Sequence, residues 1–304
     1  MKKVIAVIGS SNTDLVFQAA KFPQPGETVI GGEFNTFAGG KGANQAVAAS
    51  RLGGEVFFIA RVGNDSFGEE SIKGFLKDNI YTNYVFKDDN YPTGVASIVI
   101  DESGQNTIVV APGANNQLSV ADIDKAMDSI EKASIVLIQL EISMDTVTYV
   151  LNKLPDLGKR VILNPAPARK IEDRLYSKIY LITPNETEAF LLTNVEVNSM
   201  KTASKAADVF LKKGVENVII TMGENGAFFK NVKEQFHIPA SKVRVKDTTA
   251  AGDIFNGALA VAIAEGRNWR EAILFANAAS AIGVSRLGAQ ASVPYRKELE
   301  NIKN

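Results

Sequence analysis

The chain has 304 residues, 45% of them hydrophobic, and its 33 basic and 34 acidic residues give a formal net charge of −1. This length allows a large core, and the balanced charge excludes a general attraction to nucleic acid or to an anionic membrane. Having no cysteine and one histidine, the chain cannot form disulfides, thiolate or multi-histidine metal sites, or a cysteine nucleophile. Proton transfer would use Asp, Glu or Lys, and we expect a small-molecule partner.

The amino-terminal apolar run, residues 4–9, is too short for a signal peptide and lacks a small-residue cleavage site. No run approaches the ~20 apolar residues that a membrane helix requires. We therefore expect a cytoplasmic protein, with no membrane and no nucleic acid among its partners.

Short β-branched runs alternate along the chain with amphipathic stretches of helical period, which is typical of βαβ units around a mainly parallel sheet. Strands are expected at residues 4–9, 56–62, 135–140, 161–164, 180–183 and 218–221. Helices are expected at residues 43–52, 67–77, 121–132, 202–213, 250–264 and 269–283. The pattern predicts the α/β class.

Two stretches interrupt this alternation. Residues 15–38 are rich in Gly, Pro and Phe, and residues 93–110 alternate like a hairpin. We interpret both as antiparallel elements of a small β lid over one end of the sheet, and we expect a further hairpin at residues 226–239. Since no repeat or linker is visible, we expect one α/β domain over residues 1–304, with the lid inserted in it.

Residues 247–253, Asp-Thr-Thr-Ala-Ala-Gly-Asp, form a polar turn that leads into a long apolar helix. The small side chains of Ala250, Ala251 and Gly252 would let an anion reach the free amides of the first turn, where the helix dipole favours negative charge. Asp253 should stay ionised near neutral pH there and could accept a proton from a substrate hydroxyl. The ordinary alternative is a helix cap with no chemistry.

Residues 39–45, Gly-Gly-Lys-Gly-Ala-Asn-Gln, open another expected helix. They are not a Walker A loop, because Asn35 stands where the first Gly is required and Gly42 where Ser or Thr should bind magnesium. Residues 9–12, after the first strand, do not make a dinucleotide fingerprint either. Taken alone, residues 39–42 predict only a flexible turn.

Together, residues 39–45 and 247–253 resemble the two signatures of the ribokinase/PfkB family of sugar kinases. The similarity extends over nearly the whole chain, through residues 9–14, 139–141, 164–168, 183–188 and 288–294. It implies a Rossmann-type sandwich with a mainly parallel sheet and a small β-sheet lid. It also implies ATP-dependent phosphorylation of D-ribose at the 5-hydroxyl, giving ribose 5-phosphate and ADP, by a homodimer formed through the lid.

The resemblance assigns the catalytic base to Asp253 and an anion hole to Ala250, Ala251 and Gly252. It implies that the sugar is bound by Asn12, Asp14, Gly40, Lys41, Asn44, Glu141 and Asp253. It implies that ATP is bound by Asn185, Thr221, Gly223, Gly226, Gly252 and Asn277.

Two cations are implied as well. Glu188, with Asn185, would position Mg²⁺ and the phosphates, through water. The oxygens implied for a monovalent cation, K⁺, belong to Asp247, Thr249, Gly283, Arg286, Gly288 and Ser292. Of these, Gly283, Arg286 and Gly288 could contribute only backbone carbonyls.

Other interpretations stay open. Without the family, Asn12 and Asp14 form a turn, and Asn185 and Glu188 begin a helix. The enzyme could be a sister kinase acting on deoxyribose, adenosine or a hexose phosphate, although Asn12 favours ribose over its 2-deoxy analogue. A non-catalytic sugar-binding or regulatory protein and a Rossmann oxidoreductase are the alternatives of other classes. The wider family commonly has Gly at position 250, and the resemblance implies that the anion hole survives with Ala250 as long as its backbone stays right-handed.

Overall fold

A computed structural model describes residues 3–300, which contain thirteen strands and eleven α-helices. The strands are β1 (Val4–Ile8), β2 (Asn12–Gln18), β3 (Glu33–Gly39), β4 (Glu55–Gly63), β5 (Tyr81–Asp88), β6 (Gly94–Ile100), β7 (Asn106–Ala111), β8 (Ile135–Ile138), β9 (Arg160–Leu163), β10 (Leu181–Ile182), β11 (Asn217–Thr221), β12 (Ala227–Asn231) and β13 (Gln235–Ile238). The helices are α1 (Lys41–Arg51), α2 (Ser66–Lys77), α3 (Val120–Lys125), α4 (Met127–Ile130), α5 (Met144–Asp156), α6 (Asp173–Tyr176), α7 (Glu186–Thr193), α8 (Met200–Lys212), α9 (Ala251–Ala264), α10 (Trp269–Val284) and α11 (Arg296–Glu300).

Nine strands form one large sheet in the order β13-β12-β11-β10-β9-β8-β1-β4-β5. All neighbouring pairs from β11 to β5 are parallel, and only the pairs β11-β12 and β12-β13 are antiparallel. Side chains alternate between the two faces. In β1, Ile5 and Val7 pack with α1, α2, α9 and α10, whereas Ala6 and Ile8 pack with the core beneath α3 to α8. The expected α/β sandwich with a mainly parallel sheet is confirmed.

Four further strands form a second sheet in the order β3-β2-β6-β7. This sheet is here called the lid. The chain enters it from β1 into β2 and again from β5 into β6, and it leaves from β3 into α1 and from β7 towards α3. Within the expected segment 15–38, residues 19–32 form a connection rather than a strand. We retain a single α/β unit with the lid inserted in it as a proposal.

One expected helix differs from the structure. Residues 121–132 contain two short helices, α3 and α4, which meet at Ala126. The Ala126 amide donates to the carbonyls of both Asp122 and Ile123, so the chain tightens there and leaves the regular α-helical pattern. Within residues 3–300, every helix is too short or too polar to cross a membrane, and the cytoplasmic location stays a prediction.

The turn before β12 generates a test of the fold. Gly226 has φ 87°, and a Cβ there would lie 2.1 Å from the carbonyl oxygen of Ile238. Gly226→Ala should therefore lower the free energy of unfolding by about 1–3 kcal/mol, measured by urea denaturation. Gly74→Ala in α2 is the control, because nothing lies within 4 Å of its Cβ, and it should stabilise by about 0.5–1 kcal/mol. Unchanged stability of Gly226→Ala would contradict the turn geometry.

Candidate active site

A cavity of about 190 Å³ lies at the carboxyl ends of β9, β10 and β11 and at the start of α9. Open parallel sheets bind ligands at this edge, because the loops that follow neighbouring strands converge there. The cavity is lined by Lys41, Asn164, Ala166, Thr183, Asn185, Glu188, Thr221, Thr248, Ala250, Ala251, Gly252, Asp253 and Asn256. Residues from both signature segments, about two hundred positions apart in the sequence, therefore meet in one cavity.

The start of α9 leaves its first amides open. No side chain caps this helix, and nothing lies within 4 Å of a Cβ built at Gly252. An anion could approach the backbone there, as the amide donors and the helix dipole favour. The geometry is compatible with the cradle predicted from the small residues, and its role in binding an anion stays a prediction.

Ala250 does not have the right-handed backbone that the sequence analysis set as a condition for the anion hole. Ala250 has φ 59° and ψ 11°, in the left-handed region. The Ala251 amide donates to the Thr248 carbonyl across 3.2 Å, which closes a tight turn with Ala250 at its third position, where a positive φ is required in some turn types. A Cβ in this conformation costs about 1–2 kcal/mol, so the cradle contains local strain.

Asp253, in the first turn of α9, is only 6% exposed. Asn44 Nδ2 donates to its Oδ2 across 3.0 Å, and Gln45 Nε2 donates to its Oδ1 across 2.9 Å. Burial raises the pKa of Asp253, although Lys41 and the two amide donors oppose that rise. The helix start alone suggested an ordinary ionised carboxylate. Burial instead moves the pKa towards the range in which a carboxylate is an effective general base near neutral pH.

Lys41, half-buried in the cavity wall, is the cation of the site. Its pKa is raised by the negative charge of Asp253 most of all, and also by Glu141, Glu188 and Asp14, against the effect of burial. One ammonium therefore faces four carboxylates. This excess of negative charge favours the entry of further cations.

Asp14, on lid strand β2, lies beside the same charges. Burial first, and then the charges of Glu141 and Asp253, raise its pKa to about 7, while Lys41 lowers it. The Asp14 carboxylate lies against Gly39 of β3, where a Cβ would come within 2.4 Å of both oxygens. Glycine at this position therefore makes room for the carboxylate.

The other residues predicted for the sugar surround the junction of the lid and α1. Glu141 Oε2 accepts from the Lys41 amide (3.0 Å) and from Ser10 Oγ (2.6 Å). Gly40 has φ 87°, and a Cβ there would lie 2.6 Å from the Asn12 amide nitrogen. Asn44 keeps a buried Oδ1 that no group in residues 3–300 bonds, so one acceptor is left for a ligand.

Asn12 is held by Asn115, a residue that the sequence did not identify. Asn115 Nδ2 donates to Asn12 Oδ1 across 2.7 Å, and Asn115 also bonds both the amide and the carbonyl of Ser11. Asn115 is 1% exposed. Its signal in the sequence is weak, because a single Asn in a loop between expected elements is an ordinary turn residue.

Only some of the residues predicted to bind the nucleotide line the cavity. Asn185 and Thr221 line the cavity. Gly223 and Gly226 belong to the short turn between β11 and β12, and Asn277 on α10 donates to the Pro239 carbonyl across 3.2 Å, so none of these three lines the cavity. Their nucleotide role stays a prediction.

The structure shows the helix cap considered for Asn185 and Glu188. Asn185 Oδ1 accepts from the Glu188 amide (2.8 Å), and Glu188 Oε2 accepts from the Asn185 amide (3.0 Å). Burial raises the pKa of Glu188. In residues 3–300 no three acidic or histidine side chains are grouped to hold a metal on their own. Because Mg²⁺ usually takes one or two carboxylates together with phosphates and water, Glu188 and the adjoining cavity are compatible with it.

The residues predicted for a monovalent cation lie in the loop before α9 and in the segment from the end of α10 to residue 292. Asp247 accepts from the amides of Thr249 and Gly288, each across 2.8 Å. Burial would raise the Asp247 pKa, but these hydrogen bonds outweigh it and lower the pKa. Ser292 lies beside Gly283, whereas the Arg286 guanidinium turns away to pair with Glu298. The Arg286 side chain is engaged in this pair, and the role of these residues in binding a monovalent cation stays a prediction.

A family model for pfkB family carbohydrate kinases matches residues 2–296. The chain therefore belongs to that family of carbohydrate kinases. A ribokinase of Haemophilus influenzae is 43% identical over 98% of this chain and 97% of its own length. A deoxyribokinase of Salmonella typhimurium is 37% identical over 95% of each chain. A structure of Arabidopsis thaliana ribokinase complexed with ribose and ATP has a TM-score of 0.92, with 32% identity over 99% of each chain.

The raised Asp14 pKa generates a prediction. Since the folded protein holds a proton up to about pH 7 that the unfolded chain releases near its ordinary value of 3.8, Asp14 makes the ligand-free protein less stable as pH rises between those values. Asp14→Asn should increase the free energy of unfolding by about 2–4 kcal/mol more at pH 8 than at pH 4, measured by urea denaturation.

The control is Asp124→Asn, because hydrogen bonds from Tyr149 and Lys153 lower the pKa of that exposed carboxylate. This variant should show no such gain at high pH. Equal stability of Asp14→Asn and the wild type at pH 8 would contradict the assigned environment of Asp14.

Proposed function

We propose that this protein phosphorylates D-ribose at the 5-hydroxyl with ATP, giving ribose 5-phosphate and ADP. The observation that carries the proposal is the buried Asp253 carboxylate directly beside the open amides of Ala250 and Gly252 at the start of α9. That arrangement places a proton acceptor next to an anion site, as phosphoryl transfer to an alcohol requires. Ribokinases 37–43% identical over nearly the whole chain support the choice of ribose.

In the proposed reaction, Asp253 accepts the proton of the 5-hydroxyl as that oxygen forms a bond to the γ-phosphorus of ATP. The bond between that phosphorus and the bridging oxygen of ADP breaks in line. The amides of residues 250–252 would stabilise the charge on the transferring phosphoryl group. Lys41, which lines the same cavity, adds a positive charge between sugar and phosphate. When bound, Mg²⁺ supplies further charge neutralisation, and Glu188 and Asn185 would hold it through water.

The sugar would lie between the lid and α1, beside Asn12, Asp14, Gly40, Asn44 and Glu141. A buried polyol needs a partner for each hydroxyl, because an unpaired polar group costs about 1–3 kcal/mol. Since Asn115 occupies Asn12 Oδ1, the Asn12 amide group is left to donate to a sugar hydroxyl. That donor supports ribose over 2-deoxyribose, which lacks one hydroxyl. The specific alternative function is therefore phosphorylation of 2-deoxyribose, as in the deoxyribokinase of Salmonella typhimurium.

The expected effect of Asp253→Asn is a fall in turnover of about 10³-fold, because general-base catalysis contributes 10²–10⁴-fold. Sugar binding should stay within a few-fold, since the amide keeps the shape of the side chain. Stopped-time ADP assays and calorimetric titration with the sugar measure the two effects. Asp128→Asn, the same change at an exposed position of α4, is the control. Full activity in Asp253→Asn would refute the assigned base.

The acceptor is tested by ADP release from Mg-ATP with D-ribose, 2-deoxyribose, adenosine and fructose 6-phosphate in parallel, with K⁺ present and absent. We expect ribose to give the highest kcat/KM and K⁺ to stimulate it through the loop of Asp247 and Gly288. Turnover with another acceptor alone would keep the mechanism and overturn ribose. Silence with all four would favour a sugar-binding protein without catalysis.

We also propose a homodimer formed through the lid. Edge strand β7 is exposed along its whole length, with Ile108 and Val109 52% and 67% exposed, and Phe34 on the opposite edge strand is 55% exposed. An edge of this kind favours pairing with a second copy.

Sedimentation velocity at micromolar concentration should give a dimer, and Val109→Lys should shift it towards a monomer. Val232→Lys is the control, because Val232 is 88% exposed in the turn after β12, outside the lid. A monomeric wild type would refute this assembly.

A further inference from the structure

Gln45, in the second turn of α1, is fully buried, and its amide bonds three other side chains. Its Nε2 donates to Asp253 Oδ1 across 2.9 Å and to Asn164 Oδ1 across 3.0 Å. Its Oε1 accepts from Gln139 Nε2 across 2.6 Å. Both amide hydrogens and the carbonyl oxygen are therefore engaged, which fixes the orientation of the amide.

The hydrogen bonds continue beyond Asn164 and return to α9. Asn164 Nδ2 donates to the Thr183 carbonyl (3.2 Å), and Thr183 Oγ1 donates to Asn256 Oδ1 (2.6 Å). Asn256 Nδ2 donates to the Gly252 carbonyl (2.8 Å). The chain of amides thus begins at the carboxylate of Asp253 and ends on the backbone of the residue before it. The base and the anion cradle are connected through one set of buried groups.

Gln139 fixes the Gln45 amide on the side opposite Asp253, through its hydrogen bond to Gln45 Oε1. Gln139 is fully buried, and a Cβ at Gly9 would lie 2.1 Å from its Oε1. Only a glycine at the end of β1 leaves room for this amide. Because the Gln139 donor occupies Gln45 Oε1, Gln45 can turn only its donors towards Asp253.

Asn44 and Gln45 both donate to Asp253, but they differ in what else they bond. The Asn44 Oδ1 has no partner in residues 3–300, so this side chain keeps an acceptor for a sugar hydroxyl in addition to its bond to Asp253. Gln45, in contrast, has both amide hydrogens and its carbonyl oxygen bonded within the protein. It is the donor that stays on the carboxylate when a sugar is bound.

We propose that Gln45 is a positioning residue that holds the Asp253 carboxylate in the orientation needed to take the proton of the sugar hydroxyl. This inference rests on the proposed function for its kinetic consequence. Its physical basis is a charge-assisted hydrogen bond in a site shielded from water, which is stronger than a bond between neutral groups. Removal of that bond should leave the substrate contacts intact and weaken the base.

The test is Gln45→Met, an apolar side chain of similar length that keeps helix propensity. We expect kcat to fall about 10- to 100-fold with the sugar KM within about threefold. The acid limb of the pH-rate profile should move up by about one pH unit, because loss of a donor to a charged group disfavours ionisation. Gln139→Met removes only the hydrogen bond that supports Gln45, so it should lower kcat and raise the pH of the acid limb by smaller amounts. If Gln45→Met does not fold, Gln139→Met serves as the test.

The control is Asn217→Leu. Asn217 is 6% exposed at the amino end of β11, where it donates to the Tyr180 carbonyl and accepts from Asn231. This variant removes a buried amide far from the cavity, so it should lower thermal stability without moving the pH profile. The proposal is overturned if both variants lose stability while Gln45→Met keeps the kcat and the acid limb of the wild type. That result would show that the role of Gln45 is merely structural.

A readout without turnover separates this inference from the proposed function. ¹³C NMR of protein labelled at the Asp carboxyl carbon, with Asp253→Asn to assign the signal, gives the pKa of Asp253 directly. We expect Gln45→Met to raise that pKa by about one unit relative to wild type. An Asp253 pKa that is the same in Gln45→Met and in the wild type would overturn the proposal even if the protein is an active kinase. If the wild type shows no turnover but the Asp253 pKa is still higher in Gln45→Met, the kinase activity is refuted and the hydrogen bond is supported.

Discussion

The buried carboxylate of Asp253 is the interaction on which the rest of the site depends. A charge at 6% exposure is stable only where donors and opposite charge replace water. Here Asn44 and Gln45 of α1 supply the donors, and Lys41 of the same helix supplies the charge. The start of α1 must therefore lie against the start of α9, and the packing of these two helices on one face of the sheet provides that placement.

Several features of the site cost stability. Ala250 adopts a left-handed backbone, the negative charges of four carboxylates act on one ammonium, and burial raises the pKa of Asp14 to about 7. Strain and unfavourable charge of this kind are found at functional sites, where the surrounding structure over-determines the conformation. The large buried core on both faces of the sheet supplies that support. Substrate and cation binding would then offset this repulsion.

Much of the fold could be predicted from the sequence, because its signals are local. The buried strands are short apolar runs, and helix α8 shows clear amphipathic periodicity. The lid was predicted because its strands alternate and its segments interrupt the βα rhythm. The break at Ala126 was missed, since an amide shared between two carbonyls leaves no mark in the residue pattern.

The site was less predictable, and the reason is physical. Asp253 and the small residues before it could be identified because they are adjacent in sequence and start a helix. Asn115, Gln45 and Asn256 could not be assigned, because each acts through a partner that is distant in the sequence. The left-handed backbone of Ala250 was likewise missed, since a turn closed by Thr248 decides it and alanine itself disfavours it.

The most direct test of the account is a crystal structure of the protein with D-ribose and a non-hydrolysable ATP analogue. We expect the ribose 5-hydroxyl oxygen within about 2.6–3.2 Å of an Asp253 carboxylate oxygen, with the γ-phosphate on the amides of residues 250–252. A ribose that presents another hydroxyl to Asp253, or a phosphate bound away from α9, would contradict it.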